Sequence, residues 1–359
     1  MENQEFTPDL LELLSCPGFC VRDGRIVQAN RAASQMLLGC GSELAPLLLT
    51  GGEEYAAFSG GCLYLTLQLG AAAHSASVTR QGIYDLFLLE PQQEAPELQA
   101  YALAAQALRQ PLTALMTLPG SELLHTEDPR LQKQAALITR SLYQLMRLVG
   151  NMSDAYRYHN EPDGSPEMRD VTAVVDEIFQ KLTLLCRKTG ISIRFSNLPQ
   201  PVYCLIDSEK LERGIYNILS NAIKAMPDGG SVRAALTRRR SQLYLTVQDS
   251  GSGIPAEQRS GVYRRYLRQP GLDQALNGIG LGMPLICAAA AAHGGTVLLE
   301  SPEEGGTRIT LTLSIRQAGS NTLRSPRLRV DYAGEWDHGL MELSDVLPDS
   351  LFREESEDF

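Results

Sequence analysis

Hydrophobic and polar positions divide the chain into three parts with different periodicities. Residues 9–90 contain short apolar runs separated by turn residues, which is typical of a small sheet. Residues 98–156 carry apolar side chains at alternating steps of three and four, which is the repeat of packed helices. Residues 169–315 mix both patterns and close on a strictly alternating strand. The pattern therefore predicts an α+β protein of several domains.

The first part predicts a strand, a tight turn at Asp23 and Gly24, a second strand, and a helix that begins after Asn30. Two later apolar runs predict further strands. With Ile26, these residues form a "DG-x-I-x-x-x-N" stretch that resembles the one found in sensory PAS domains. The resemblance implies a PAS-like α/β sensor over residues 1–92. An unrelated small α+β domain is the alternative, and no flavin- or haem-attachment signature names a ligand.

The second part predicts two helices joined by the turn-rich residues 118–129. The predicted seam consists of Leu98, Tyr101, Ala105, Leu108, Leu112 and Leu115 on the first helix, and Leu131, Ala135, Ile138, Leu142, Leu145, Val149, Met152 and Tyr156 on the second. Two helices bury little surface alone, so we expect residues 97–160 to form a helical hairpin that dimerises into a four-helix bundle. The alternative is a hairpin that packs on another domain of its own chain.

The third part contains four polar or glycine-rich segments. Asn217, Asn221 and Lys224 are spaced by four and three residues, which places them on one face of a helix. Their amide oxygens suit Mg²⁺, and their amide hydrogens and ammonium group suit phosphate. In "DSGSGIP", Asp249 ends an apolar strand, and the glycines let the backbone approach a ligand. "NGIGLGM" precedes a helix and offers backbone N–H groups to phosphates, and "GGT" leads into the last strand.

In order and spacing, these segments resemble the N, G1, G2 and G3 boxes of the ATP-binding domain of sensor histidine kinases. That domain belongs to the GHKL superfamily, with DNA gyrase, a class of heat-shock chaperones and the mismatch-repair ATPases. The resemblance implies ATP and Mg²⁺ as cofactors: Asp249 would bond the adenine amine, and Asn221 with Asn217 would hold the metal. The implied nucleotide-binding residues are Asn217, Asn221, Lys224, Asp249, Gly251, Gly253, Gly278, Gly280, Leu281, Gly282 and Thr307.

The same resemblance implies an α/β-sandwich catalytic domain over residues 169–316, with residues 254–277 as a lid over the nucleotide. ATPases of the gyrase and chaperone type place a glutamate four residues before the magnesium-site asparagine, as the base that activates water. Here that position holds Asn217, whose amide cannot accept a proton at neutral pH. The sequence therefore disfavours simple ATP hydrolysis.

The phosphoacceptor segment of histidine kinases, which reads roughly "H-E-L-R-T-P-L", corresponds here to "QALRQPL" at 106–112. Gln106 occupies the acceptor position, and Ala107 replaces the neighbouring acid. Imidazole has a nitrogen lone pair that can attack phosphorus, whereas the amide nitrogen of glutamine is delocalised into its carbonyl group. We therefore expect no autophosphorylation at the usual position.

Gln110 lies four residues after the acceptor position, where these kinases carry a residue that orients water for dephosphorylating a response regulator. The resemblance therefore implies a response regulator receiver domain as partner. It leaves open a pseudokinase, a regulator phosphatase assisted by Gln110, or a kinase acting within a heterodimer with a related kinase. An active GHKL kinase that phosphorylates His, Ser or Thr on a partner and a non-catalytic scaffold are the alternatives.

Charge is concentrated at the end of the chain. Of the formal net charge of −10, residues 331–359 carry −9, from ten acidic residues and one arginine. The nearly neutral remainder gives no basis for nucleic-acid binding. The acidic tail, residues 317–359, could be disordered, dock on a partner or fold back. The seven cysteines include no CxxC pair, and the sequence shows no secretory signal and no apolar run long enough to span a membrane. We therefore expect a cytoplasmic protein with reduced cysteines.

Overall fold

The computed structural model describes residues 8–14, 16–36, 38–90, 96–117, 128–160, 166–255, 281–317 and 337–352. Its strands are β1 (Gly18–Arg22), β2 (Arg25–Ala29), β3 (Cys62–Leu69), β4 (Ala72–Gln81), β5 (Tyr84–Leu89), β6 (Glu167–Asp170), β7 (Ile191–Ser196), β8 (Tyr203–Ile206), β9 (Gly230–Arg239), β10 (Gln242–Asp249), β11 (Val297–Glu300) and β12 (Arg308–Ser314). Its α-helices are α1 (Arg31–Ser34), α2 (Gly52–Ala56), α3 (Pro96–Thr117), α4 (Pro129–Asn160), α5 (Val171–Leu185), α6 (Ser208–Lys224), α7 (Gly282–Ala292) and α8 (His338–Glu342).

The N-terminal strands form an antiparallel sheet in the order β2-β1-β5-β4-β3. The predicted turn is confirmed, since Asp23 and Gly24 both have positive φ angles, of 51° and 74°. Asn30 caps α1 by accepting a hydrogen bond from the backbone N–H of Ala33. Strand β4 was not predicted, because its alanine and serine residues carry little strand preference.

Helices α3 and α4 form the predicted hairpin, with Pro111 inside α3. The predicted seam is only partly buried in the single chain. Its exposed members are Leu108, Leu115, Leu131, Ile138, Leu145 and Tyr156. On α4, Tyr143 and Met146 are buried although they do not belong to the predicted seam. The centroid of the Tyr143 ring lies 5.5 Å from that of Phe352 in the C-terminal segment. The hairpin therefore packs on other parts of its own chain, and the four-helix bundle stays a prediction.

The third part combines strands β7 and β9–β12 with helices α5, α6 and α7, which share one hydrophobic core with them. Helix α6 ends at Lys224, and the chain changes at Cys186 from helix α5 to a short 3-10 turn. The alternating last strand is confirmed as β12. The short pair β6 and β8 forms a separate sheet.

The N-terminal sheet and the sheet of the third part are continuous. Strand β3 pairs antiparallel with β11, with Tyr64 opposite Val297. Within the described residues this gives one ten-stranded sheet. Gly61 permits the approach, because a Cβ atom there would overlap the carbonyl oxygen of Leu299. Nothing in the sequence pattern predicted this pairing.

Residues 337–352 fold back on the chain. Asp337 caps α8 by accepting from the backbone N–H of Leu340, and a 3-10 turn follows at Asp349–Phe352. The segment packs against α4, α5 and α6 and buries Met341, Leu343, Leu347 and Phe352. Of the possibilities left open for the tail, folding back is therefore the one found for these residues.

No helix in the part of the chain that the structure describes combines the length and the apolar character needed to cross a membrane.

Candidate functional site

Helix α6 presents the predicted polar face. Asn217 is buried, and its Nδ2 group donates a hydrogen bond of 2.8 Å to the carbonyl oxygen of Arg213. This bond leaves the amide oxygen of Asn217 directed at the start of α7. A Cβ atom on Gly282 would lie 3.0 Å from the Asn217 Oδ1 atom and 4.0 Å from the Asn221 Oδ1 atom. The missing side chain at Gly282 therefore keeps open the space beside two amide oxygens.

Asp249 ends β10 and is buried to 6% exposure. Its Oδ1 atom accepts hydrogen bonds from the backbone N–H groups of Gly251, at 2.8 Å, and Thr307, at 3.0 Å. Burial raises the pKa of Asp249, although these two hydrogen bonds oppose the shift. Both of these N–H groups therefore donate to the same carboxylate oxygen.

The glycines near Asp249 have a role that the sequence did not predict. We expected Gly251 and Gly253 to admit a ligand, but a Cβ atom on Gly251 would lie 2.5 Å from the carbonyl oxygen of Ala225. A Cβ atom on Gly306 would overlap the carbonyl oxygen of Asp249. Gly253 has a φ angle of 71° and lies against the backbone of Gly306. These glycines let protein segments approach one another, and this contact holds the strand end beside the end of α6.

The structure brings most of the predicted site residues into one region. Asn221, Lys224, Asp249 and Thr307 are held together through the contact between Gly251 and Ala225, the residue after Lys224. Leu281 is buried at the N-cap position of α7. Gly278, Gly280 and most of the predicted lid lie outside the described residues.

Lys224 has a partner that sequence reasoning missed. Its Nζ atom lies 2.9 Å from the Oδ2 atom of Asp345 in the C-terminal segment. The same oxygen accepts a hydrogen bond of 2.7 Å from the Nη1 atom of Arg147 on α4. The interleaved acidic and apolar residues of the tail were the only signal in the sequence, and they did not indicate where the tail would dock.

Gln106 and Gln110 lie on α3, away from this region. Both side chains are exposed, and the neighbouring Ala105 is buried. In the described part of the chain, no hydrogen bond links either glutamine to α6.

The polar groups of this region suit a nucleotide with its metal ion better than a metal ion bound by the protein alone. Over the described residues, no group of three or more His, Cys, Asp or Glu side chains could hold an ion. The candidate metal ligands are therefore the amide oxygens of Asn217 and Asn221, which would need further oxygens from a ligand such as a triphosphate. Asp249 supplies a buried acceptor for an amine, and Gly282 leaves room at the N-terminus of α7, where backbone N–H groups favour anions.

Residues 206–317 match the family described as "Histidine kinase-, DNA gyrase B-, and HSP90-like ATPase". Over 239 residues the chain is 28% identical to hybrid signal transduction histidine kinase D of Dictyostelium discoideum, an alignment that covers 64% of this chain and 15% of that protein. It is 29% identical over 214 residues to the signal transduction histidine-protein kinase/phosphatase MprB of Mycolicibacterium vanbaalenii, covering 57% of this chain and 43% of that one.

Among solved structures, full-length ShkA in complex with AMPPNP aligns with a TM-score of 0.48 at 19% identity, over 62% of this chain and 47% of that one. The chain spans less than half the length of each of these three relatives.

Proposed function

We propose that this chain binds ATP with Mg²⁺ and acts in two-component signalling without phosphorylating itself at the usual position. The premise is that the chain belongs to the sensor histidine kinase family. The observation that supports the proposal is the proximity of the polar face of α6 to Asp249 and to the start of α7, combined with an amide at the acceptor position. Asp249, Asn217 and Asn221 keep the chemistry that the site needs, whereas Gln106 lacks the nucleophile.

In the proposed nucleotide complex, the Oδ2 atom of Asp249 accepts from the adenine amine. Asn217 and Asn221 contribute amide oxygens to Mg²⁺, and Lys224 faces the phosphates. Bound ATP supplies an activated phosphoryl group, and the protein contributes its orientation and charge neutralisation. The buried amide of Asn217 cannot act as a base for water, so the site favours retention of the nucleotide over its hydrolysis.

We further propose that the exposed apolar residues of the hairpin contact a second copy, or a related kinase. Leu108, Leu115, Ile138 and Leu145 are exposed in the single chain although they follow the repeat of packed helices. Burying such side chains in a four-helix bundle removes apolar surface from water and stabilises the dimer.

Residues 8–90 are proposed to be a PAS-like sensor. The support is the antiparallel order β2-β1-β5-β4-β3 together with the Asp23–Gly24 turn and the Asn30 cap. The proposed partner of the whole protein is a response regulator. Gln110 is exposed on α3, so its amide is free to meet such a partner and orient a water molecule on an aspartyl phosphate.

The function is tested by incubating the purified chain with labelled ATP and Mg²⁺. We expect no acid-labile label on the native chain, and label on Gln106→His, enhanced in the double variant Gln106→His with Ala107→Glu. Ala104→His is the matched control, because it places a histidine at another exposed position of α3. Acid-labile phosphate on the native chain would contradict the proposal.

The partner is tested with the same label and a response regulator. Acid-stable phosphate on an added partner would favour the alternative of an active Ser or Thr kinase of the same superfamily. Absence of nucleotide binding by calorimetry would instead favour a non-catalytic scaffold.

A further inference from the structure

The C-terminal segment, residues 337–352, completes a row of alternating charges between the hairpin and the ATPase domain. The row begins at Asp154 on α4, which pairs with Arg213 on α6 at 2.6 Å. Arg213 also faces Glu342 of the segment at 3.3 Å, and the other oxygen of Glu342 faces Arg147 at 3.4 Å. Each charge has an opposite charge beside it, which is required of ions at this depth.

The row ends in the nucleotide site. Arg147 pairs with Asp345 at 2.7 Å, and the same Asp345 oxygen meets the Nζ atom of Lys224 at 2.9 Å. Three basic groups of the hairpin and the ATPase domain therefore share two acids that the segment supplies. Glu342 is fully buried, whereas the side chains of Asp345 and Lys224 are both about a quarter exposed, at 23% and 26%. The inner end of the row is thus fixed, and the outer end is accessible.

Further contacts anchor the segment on α4. Arg140 donates to the carbonyl oxygen of Ser344 at 2.9 Å and pairs with Asp349 at 2.6 Å. Gln144 also donates to the Ser344 carbonyl, at 3.2 Å. Phe352 packs beside Tyr143. These contacts hold Asp345 in register with Lys224, so their pairing is part of a docked surface and not an isolated surface ion pair.

We infer that the C-terminal segment is an intramolecular inhibitor of nucleotide binding, in which the Asp345 carboxylate occupies the cationic group that the nucleotide phosphates would otherwise use. The inference rests on the proposed function, because it assigns Lys224 to phosphate. A carboxylate and a phosphate cannot both take the short contact on one ammonium group without placing two anions against each other. Nucleotide binding and docking of the segment therefore oppose each other, and by linkage each weakens the other by the same factor.

The first experiment measures the dissociation constant of ATP with Mg²⁺ by calorimetry on the full chain. Asp345→Asn keeps the shape of the side chain and removes its charge, so we expect binding to tighten about fivefold or more. Asp349→Asn removes an anchor on Arg140 without touching Lys224, and it should tighten binding by a smaller factor. Asp228→Asn is the matched control, because Asp228 is an exposed acid four residues after Lys224 that lies outside the docked segment. It should leave the constant unchanged.

The second experiment follows hydrogen exchange in the native chain and needs no variant. Added ATP with Mg²⁺ should speed exchange of the backbone amides in residues 339–347, several of which form hydrogen bonds within the segment. Unchanged or slower exchange on nucleotide binding would overturn the inference.

The outcomes separate the two proposals. Nucleotide binding of equal or lower affinity in Asp345→Asn would overturn inhibition by the segment and leave the proposed nucleotide site intact. Absence of binding in the native chain and in Asp345→Asn alike would overturn the nucleotide site, and the inference with it. Tighter binding in both segment variants, with no change in Asp228→Asn, would support the inference.

Discussion

At the scale of single residues, the close approach of Gly306 to Asp249 gives a sharp test of the site's construction. Gly305 and Gly306 both have positive φ angles, of 92° and 78°, so alanine is strained at either position. Only at Gly306 would the added Cβ atom overlap the backbone of Asp249, whereas nothing lies within 4 Å of a Cβ atom at Gly305.

We therefore expect Gly306→Ala to lower the free energy of unfolding by about 1–3 kcal/mol more than Gly305→Ala, which is the usual cost of forcing extra atoms into a packed site. Urea denaturation of the two variants measures the difference. Equal destabilisation would show that the loop moves aside without cost.

Asp249 gives a second residue-scale prediction. In Asp249→Asn the amide oxygen keeps the two backbone hydrogen bonds. The amide N–H group then faces the N–H group of the adenine amine, and two donors cannot form a hydrogen bond with each other. A buried mismatch of this kind costs about 1–3 kcal/mol, so we expect ATP binding to weaken about tenfold or more. Calorimetry measures the affinity, and an unchanged midpoint of thermal denaturation shows that the variant folds. Unchanged affinity would remove Asp249 from the site.

The protonation of Asp249 predicts the pH dependence of the same binding. Because burial raises its pKa, the carboxylate gains a proton at a higher pH than an exposed aspartate does. A protonated carboxyl group can no longer offer both oxygens as acceptors. ATP affinity should therefore fall as the pH is lowered toward this raised pKa, and Asp249→Asn should lack that decline.

At the scale of elements, a histidine joins α6 and α7, the two helices that border the proposed nucleotide site. The backbone N–H of Asp207, the N-cap of α6, donates to the Nε2 atom of His293 at 3.0 Å, at the end of α7. The proton of the neutral ring is then on Nδ1, which donates to the carbonyl oxygen of Ala289. Protonation of Nε2 would set two donors against each other, and burial accordingly lowers the pKa of His293.

The lowered pKa predicts how stability depends on pH. The unfolded chain binds a proton at this histidine near its ordinary pKa of 6.5, whereas the folded chain does so only at lower pH. The stability contributed by the neutral ring is therefore present above pH 6.5 and is lost as the pH falls below it. Urea denaturation between about pH 7.5 and 5.5 should show this loss, with a smaller slope in His293→Gln. Burial also lowers the pKa of His74, so His74 contributes to the loss of stability in the same pH range. The informative quantity is therefore the difference in pH slope between His293→Gln and the native chain.

The same scale shows what the sequence could and could not predict. The helix face and the last strand of the proposed nucleotide-binding domain were predicted, because the spacing of Asn217, Asn221 and Lys224 and the alternation in β12 are local patterns. The pairing of Lys224 with Asp345 joins positions 121 residues apart, and no local periodicity encodes such a contact. The sequence does not single out His293, because its partner, a backbone N–H, leaves no trace in side-chain composition.

At the scale of the whole molecule, the continuous sheet makes the N-terminal domain and the ATPase domain one hydrogen-bonded unit. The junction is reinforced on one side by Gly51, where a Cβ atom would lie 2.7 Å from the Cγ2 atom of Thr296. It is reinforced on the other by Tyr244 of β10, whose hydroxyl donates to Glu54 on α2 at 2.9 Å. A change in the N-terminal domain that shifts β3 must therefore shift β11 or break their pairing.

Gly61→Ala tests this coupling, because the added Cβ atom would overlap the Leu299 carbonyl and push β3 away from β11. We expect faster hydrogen exchange of the backbone amides in Val297–Glu300, while the β7–β9 pair at the far edge of the sheet stays protected. Gly70→Ala is the matched control, since Gly70 also has a positive φ angle, of 62°, but has open space around its Cβ position. If β11 remains as protected in Gly61→Ala as in Gly70→Ala, the two domains do not depend on this strand pairing. If only Gly61→Ala exposes β11, the pairing is a direct mechanical route from the N-terminal domain to the strand that follows α7. The first residue of α7, Gly282, borders the proposed nucleotide site.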